Sequence, residues 1–303
     1  MATDGTFASC GTIVAMFVFR WRAMGTEFRV QLPLGDAQTA EAVAAQLREE
    51  TCRLERQLSL YLPDSDVCYL NAHAHECPVR VEPELFQLLE CCRSLYALTE
   101  GALDPTVTPL LRLWGFVDKR YRVPDANAIE AALERVGMDL VLLEPEGRWV
   151  YYALPGVELS FGAIGKGWAV AQCVRILREL GIGSALVDAG GSTLYALGAP
   201  PNAEGWLFRL PDGSETALRD AAVGVSGDAE QYFEVDGVRY GHILDPRTGY
   251  PAPSRPPVAL IGDDPTLCDA LSTAVYIEPS LAKIARTLCR SVSVSTAIEG
   301  CSK

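Results

Sequence analysis

An α+β fold, rather than a doubly wound sheet, is predicted by two features of the sequence. Segments with strand-like and helix-like periodicity follow one another without the regular βαβ alternation that a parallel sheet requires. Strands are also joined directly through tight turns, at Ala23-Met24-Gly25-Thr26 and at Asp236-Gly237, the latter suited to a type I′ hairpin. The chain has 303 residues, 49% hydrophobic and 21% charged. That composition suits a globular core, built as one large domain or as two intertwined halves.

In chain order, Phe17 to Leu32 reads as strand–turn–strand, and Asp36 caps a helix running to about Gln57. Pro83 opens a second helix whose apolar face carries Leu85, Leu88, Leu89, Cys92, Leu95 and Tyr96, with Gly101 as its stop. Ala126 to Val136 is a third amphipathic segment, after which short strands approach Ser160. A helix is expected from Trp168 to Leu180, with Val170, Cys173, Val174 and Leu177 as its buried stripe. Ser184 to Gly198 alternates like a strand broken at Gly190-Gly191, and Tyr232 to Ile243 reads as a hairpin. Asp269 to Ile277 and Leu281 to Cys289 complete the list as helix-like segments.

A net charge of -13 argues against nucleic acid as a partner, because phosphates demand a basic face. An anionic small molecule would need local donors or a metal ion against that field. The ten cysteines form no Cys-x-x-Cys pair and mostly sit in apolar stretches, which points to reduced thiols and a cytoplasmic setting. Ile13 to Phe19 is an apolar run far shorter than the ~20 residues of a membrane span, so no integral membrane segment is expected. Phe7-Ala8-Ser9-Cys10 resembles a lipoprotein cleavage box, but no apolar region precedes it. A periplasmic or membrane-associated location would require a start further upstream.

Three segments concentrate chemistry. Gly241 to Pro251 packs His242, Asp245 and Arg247 onto a loop stiffened by Pro246, Gly249 and Pro251. Ser160 to Gly167 places Gly162, Gly165, Lys166 and Gly167 at a helix start, where backbone N–H groups and a lysine can receive phosphate. It is neither a Walker A loop nor a dinucleotide fingerprint, and close packing by small residues would explain the glycines equally well. Asp269 and Thr273 lie four apart on a helix and could share a magnesium ion, or Asp269 could simply cap that helix. His73-Ala74-His75 reads as a solvated loop rather than a metal site, and Cys91-Cys92 as packing.

Taken in order, the motifs resemble the ApbE family, the FAD:protein FMN transferases. The matching pieces are Ala23 to Thr26, Leu58-Ser59-Leu60-Tyr61, Gly101 to Val107 with Leu113-Trp114-Gly115-Phe116, and Gly162 to Gly167. Ala189-Gly190-Gly191, Ser226-Gly227-Asp228, His242 to Pro251 and Asp269 to Thr273 follow. The resemblance implies one transferase domain over residues 19–290, between an extension (1–18) and a tail (291–303). Its fold would be an α+β architecture of two related, interleaved halves with mixed or antiparallel sheets and packed helices.

The reaction the resemblance implies is magnesium-dependent transfer of FMN from FAD to a threonine or serine hydroxyl of an acceptor protein, with release of AMP. Position by position, Met24 and Tyr61 would line the flavin pocket, Ala102, Leu103 and Asp104 would contact FAD, Lys166 would sit by its phosphates, and Ile243 would touch the dinucleotide. Asp269, the Thr273 hydroxyl and the Ala163 carbonyl would hold the metal. By residue type His242 is the best candidate base, with Asp245 and Asp228 as orienting or competing carboxylates. Asp269, read as a ligand at the edge of the site, is expected to be removable without loss of the fold.

Several positions depart from the family pattern. Ser160 stands where a FAD-contacting Asp is common, Ala229 where an aromatic residue is usual, and one histidine instead of two precedes Ile243. These leave two further readings open, hydrolysis of FAD to FMN and AMP, and a flavin-binding protein that does not turn over.

Overall fold

Met24 and Gly25, both with positive φ (52° and 73°), turn strand β2 (Val14–Ala23) onto β3 (Thr26–Leu34). They are the two centre residues of the turn type that matches strand twist. The computed structural model describes residues 5–7, 14–229 and 231–294. The Phe7-to-Cys10 box and Cys301 therefore fall wholly or mainly outside the described residues.

A short β1 (Gly5–Phe7) pairs with β2, and Asp36 caps α1 (Ala37–Leu58) by accepting from Thr39 N at 2.8 Å. Next come α2 (Asp66–His73), β4 (Val79–Arg80) and α3 (Pro83–Leu98). Gly101 at φ 77° then reverses the chain, donating its N–H to Tyr96 O at 3.0 Å. Helix α2 has no counterpart in the sequence reading, and of the loop expected at His73-Ala74-His75 only His73 is helical. Ser65 caps it at Cys68 N (3.0 Å), and its buried Val67 and Leu70 are too few to set up a readable period. His73 is its last residue, in ring contact with Tyr69 at 4.5 Å.

The chain continues through α4 (Thr108–Leu113), α5 (Ala126–Leu133), β5 (Val141–Glu144) and β6 (Trp149–Tyr152), with β4, β6 and β5 forming a small sheet. Helix α6 (Gly165–Glu179) follows, then β7 (Ala185–Ala189), β8 (Thr193–Leu197) and the hairpin of β9 (Trp206–Arg209) and β10 (Glu215–Leu218). The remaining elements are β11 (Ala221–Ser226), the β12 (Tyr232–Val235)–β13 (Val238–Gly241) hairpin, β14 (Val258–Gly262), α7 (Pro265–Ile277), α8 (Ala282–Leu288) and β15 (Ser291–Val294).

The main sheet has the order β1-β2-β3-β7-β8-β11-β14-β15, and every pairing in it is antiparallel. Its period-two alternation splits the strands between two cores. Val187, Tyr195 and Leu260 face the large core with α1, α6 and α7, while Leu194, Ala196 and Val223 face a second one covered by Trp206 and Leu218 of the β9–β10 hairpin. A third cluster, around Trp114, Leu110, Ile129 and Leu244, seats the His242-to-Pro251 loop, and Trp114 Nε1 donates to Gly249 O at 2.8 Å. The α+β prediction holds.

Two helix starts differ from expectation, and both matter for function. Helix α6 begins at Gly165 instead of Trp168, so Lys166 and Gly167 belong to its first turn. Helix α7 begins at Pro265, capped by Asp264 through Thr266 N (2.7 Å) and Leu267 N (3.3 Å). Asp269 is therefore not a cap; it lies one turn inside the helix.

Candidate functional site

Two glycines let α7 press against both of its neighbours at Asp269. A Cβ on Gly167 of α6 would stand 2.7 Å from Asp269 Cβ and 2.8 Å from Thr266 Cα, and would overlap Pro265 O. A Cβ on Gly224 of β11 would stand 2.6 Å from Asp269 N and overlap the Cys268 carbonyl. The glycine-rich turn is thus both a packing device and part of the site. Gly167→Ala should destabilise the free protein by about 1–3 kcal/mol, the usual range for overpacking. A denaturant midpoint that does not move would contradict this.

The close approach aims Asp269 at two buried donors. Its Oδ2 accepts from Gly167 N at 2.8 Å, and its Oδ1 accepts from Thr193 Oγ1 at 2.7 Å. Asp269 is 3% exposed, which corrects the expectation of a ligand at a site edge. One turn along, Thr273 Oγ1 is 2.9 Å from Ser226 Oγ, which is 2.7 Å from Ser272 Oγ. Ser272 Oγ donates to Asp269 O at 2.8 Å.

A cavity of about 470 Å³ opens over these groups. Asp269, Thr273, Ala163 and Lys166 are among the residues that line it. Ala102, Leu103 and Asp104, from the turn after α3, line it too, together with Ser160. His242 and Ile243, directly after β13, complete the set of predicted residues found there. Among the described residues Lys166 forms no ion pair, and it lines the cavity.

His242 is held at the base of the β12–β13 hairpin. The Gln231 carbonyl accepts from its backbone N–H at 3.1 Å and lies 3.0 Å from Nδ1. A carbonyl only accepts, so the ring hydrogen of a neutral imidazole sits on Nδ1 and the lone pair on Nε2. The two carboxylates expected near it are engaged elsewhere. Asp245 takes Arg247 Nε and Nη2, both at 2.9 Å, and Asp228 Oδ2 is 3.6 Å from Arg239 Nε. Neither lines the cavity, although both neighbours of each do.

Met24 and Tyr61 are not among the lining residues either. The Met24 thioether end lies against the start of α6, with Cε 3.4 Å from where a Cβ on Gly165 would stand, and Tyr61 is 70% exposed. Ser160 turns its hydroxyl toward Gly162 N (3.4 Å), and its own N–H goes to Pro105 O at 2.7 Å. Asp104 is buried. Burial raises its carboxyl above the ordinary 3.8, partly offset by Thr106 N and Oγ1, which both donate to Oδ1 at 2.8 and 2.6 Å.

Because the folded state holds the Asp104 proton more tightly than the unfolded state, the raised pKa lowers stability as pH rises through the ordinary carboxylate value to the raised folded one. Asp104→Asn keeps an Oδ1 acceptor for Thr106 and removes the charge. The variant should melt higher than the parent near pH 7, with the difference vanishing toward pH 3. Equal differences at both pH values would refute the assignment.

Sequence reasoning gave no role to Ser226, Ser272 or Thr193, which organise Asp269 and Thr273. Ser226 stands in the Ser226-Gly227-Asp228 motif and Thr193 just after Gly190-Gly191, so attention to buried hydroxyls near those turns could have found them. The part played by Gln231 comes from its backbone carbonyl and leaves no trace in residue type. Among the described residues no cluster of three or more His, Cys, Asp or Glu marks a metal centre. The Asp269 carboxylate, the Thr273 hydroxyl and the Ala163 carbonyl are nonetheless all hard oxygens of residues that line the cavity, and magnesium commonly takes one carboxylate with waters and substrate phosphates.

Fold and cavity together define an α+β protein with a lysine, a carboxylate–hydroxyl pair and an imidazole around one cleft, a site suited to phosphate chemistry. A family model described as the ApbE family matches residues 24–294. The chain belongs to the ApbE family. It is 34% identical over 279 residues to the FAD:protein FMN transferase of Treponema pallidum (strain Nichols), covering 84% of this chain and 76% of that protein. The ApbE protein of Thermotoga maritima superposes with a TM-score of 0.82 at 32% identity, covering 90% of this chain and 92% of that one. The apo flavinyl transferase ApbE of Pseudomonas stutzeri gives 0.78 at 31% identity, covering 90% and 85%.

Proposed function

We propose that the protein transfers FMN from FAD to a threonine or serine hydroxyl of an acceptor protein, releasing AMP. The observation that carries this reading is the convergence of Lys166, the Asp269–Thr273 pair and His242 on one cavity whose other walls are largely apolar. Apolar walls suit a flavin ring, and the polar side suits a pyrophosphate. The curated relatives bear the name of this activity.

His242 Nε2 takes the proton of the acceptor hydroxyl, and the oxygen attacks the phosphorus that carries the riboflavin moiety. The bond from that phosphorus to the bridging oxygen breaks, and AMP leaves with the oxygen. Lys166 offsets negative charge on the phosphates as the bond breaks. Asp269, Thr273 and the Ala163 carbonyl would hold magnesium, which when bound neutralises pyrophosphate charge. No helix among the described residues is long and apolar enough to cross a membrane.

The test is AMP release from FAD with magnesium or EDTA, with and without a threonine-bearing acceptor. Acceptor-dependent AMP release, with covalent flavin fluorescence on the acceptor, is expected. AMP formed at the same rate without an acceptor would make the protein a hydrolase. Retained FAD without AMP would make it a binding protein.

A further inference from the structure

We infer that Ser226 is a positioning residue that fixes the direction of the Thr273 hydroxyl, turning its hydrogen away from the cavity and its lone pairs toward a metal ion. The inference rests on the reading of Asp269 and Thr273 as magnesium ligands. It follows from counting hydrogens along one short chain of hydroxyls.

Ser272 Oγ has one hydrogen and gives it to the Asp269 carbonyl, which can only accept (2.8 Å). In the 2.7 Å contact between Ser272 and Ser226, Ser272 must therefore accept and Ser226 donate. That uses the single hydrogen of Ser226. In the 2.9 Å contact between Ser226 and Thr273, Ser226 must accept and Thr273 donate. Each direction is forced by the one before it. Thr273, which lines the cavity, is left as an acceptor, the state a hydroxyl needs to ligate a cation.

Ser272 is fully buried, and Ser226 is 8% exposed. Ser226 and Thr273 also line the cavity, so it is the buried Ser272 end, from which the directions are set, that water does not reach. The same logic governs the neighbouring ligand, because Gly167 N and Thr193 Oγ1 both donate to the Asp269 carboxylate. Outer partners of this kind typically alter metal affinity by about 10–100-fold when removed.

Ser226→Ala frees the Thr273 hydrogen to rotate. The magnesium concentration at half-maximal thermal stabilisation of the FAD-bound protein should rise by about 10-fold or more, and the midpoint for AMP release should rise with it. The rate at saturating magnesium should fall much less. Ser226→Thr, which restores a hydroxyl, should recover most of the affinity. If Ser226→Ala does not fold, Ser272→Ala tests the same relay, since it lets Ser226 donate to Thr273 instead.

A magnesium midpoint within about twofold of the parent in both alanine variants would overturn the inference. If Asp269→Ala and Thr273→Val still lost magnesium dependence, the ligand assignment would survive that failure. If those two variants also kept the parent's magnesium response, the ligand reading itself would fall, and the inference with it.

Discussion

Asp269→Ala should abolish magnesium-dependent AMP release and also lower the melting temperature of the free protein. The first effect follows from its place on the cavity beside Thr273 and Ala163. The second comes from burial. Removing the carboxylate leaves Gly167 N and Thr193 Oγ1 without the oxygens they now reach at 2.8 and 2.7 Å. An orphaned buried donor costs about 1–3 kcal/mol, and here there are two. The two donors lie on α6 and β8, so Asp269 ties three elements together as well as facing the ligand. Calorimetry and AMP release with and without EDTA separate the effects. Near-parental AMP release would sink the metal assignment, whereas an unchanged melting temperature would mean that water replaces the lost carboxylate.

Legibility of the fold varied with how much of each element's stability is local. Helices α1 and α3 announce themselves through Asp36, Pro83 and Gly101, because capping residues act within one turn of themselves. Both tight hairpins were legible for the same reason. Strands β11 and β14 were not: Ala221 to Ser226 and Val258 to Gly262 are short runs of small or apolar residues, kept apart in sequence by the β12–β13 hairpin and the His242-to-Pro251 loop. Their strand state comes from pairing with each other and, for β11, with β8, partners distant in sequence.

The start of α7 is marked by Asp264 and Pro265, the same kind of signal that opens α1 and α3, whereas the early start of α6 is hidden by a conflict. Glycines at 165 and 167 oppose helix formation locally, yet Gly167 is needed there because α7 leaves no room for a Cβ. Functional side chains were readable where type restricts role, as for Lys166, His242 and Asp269. What type could not supply is the orientation of each group. Asp245 looked like a partner for His242, and Arg247 claims it instead.

His242→Ala is the second substitution with a large expected effect, and it tests that orientation directly. With the Nδ1 hydrogen directed at the Gln231 carbonyl, Nε2 is the atom able to take a proton from an incoming hydroxyl. Loss of a positioned general base typically slows a reaction by about 10²–10⁴-fold. FAD affinity should change far less, since Asp104, Lys166 and the apolar walls are untouched. Flavin transfer at saturating FAD, set against FAD binding followed by fluorescence quenching, gives both numbers on one sample. A rate loss matched by an equal loss of affinity would recast His242 as a binding residue. His242→Gln separates the two cases further, because its amide keeps a polar group near the same place but cannot take the proton. Transfer should stay as slow as in the alanine variant while FAD binding holds at the parental level.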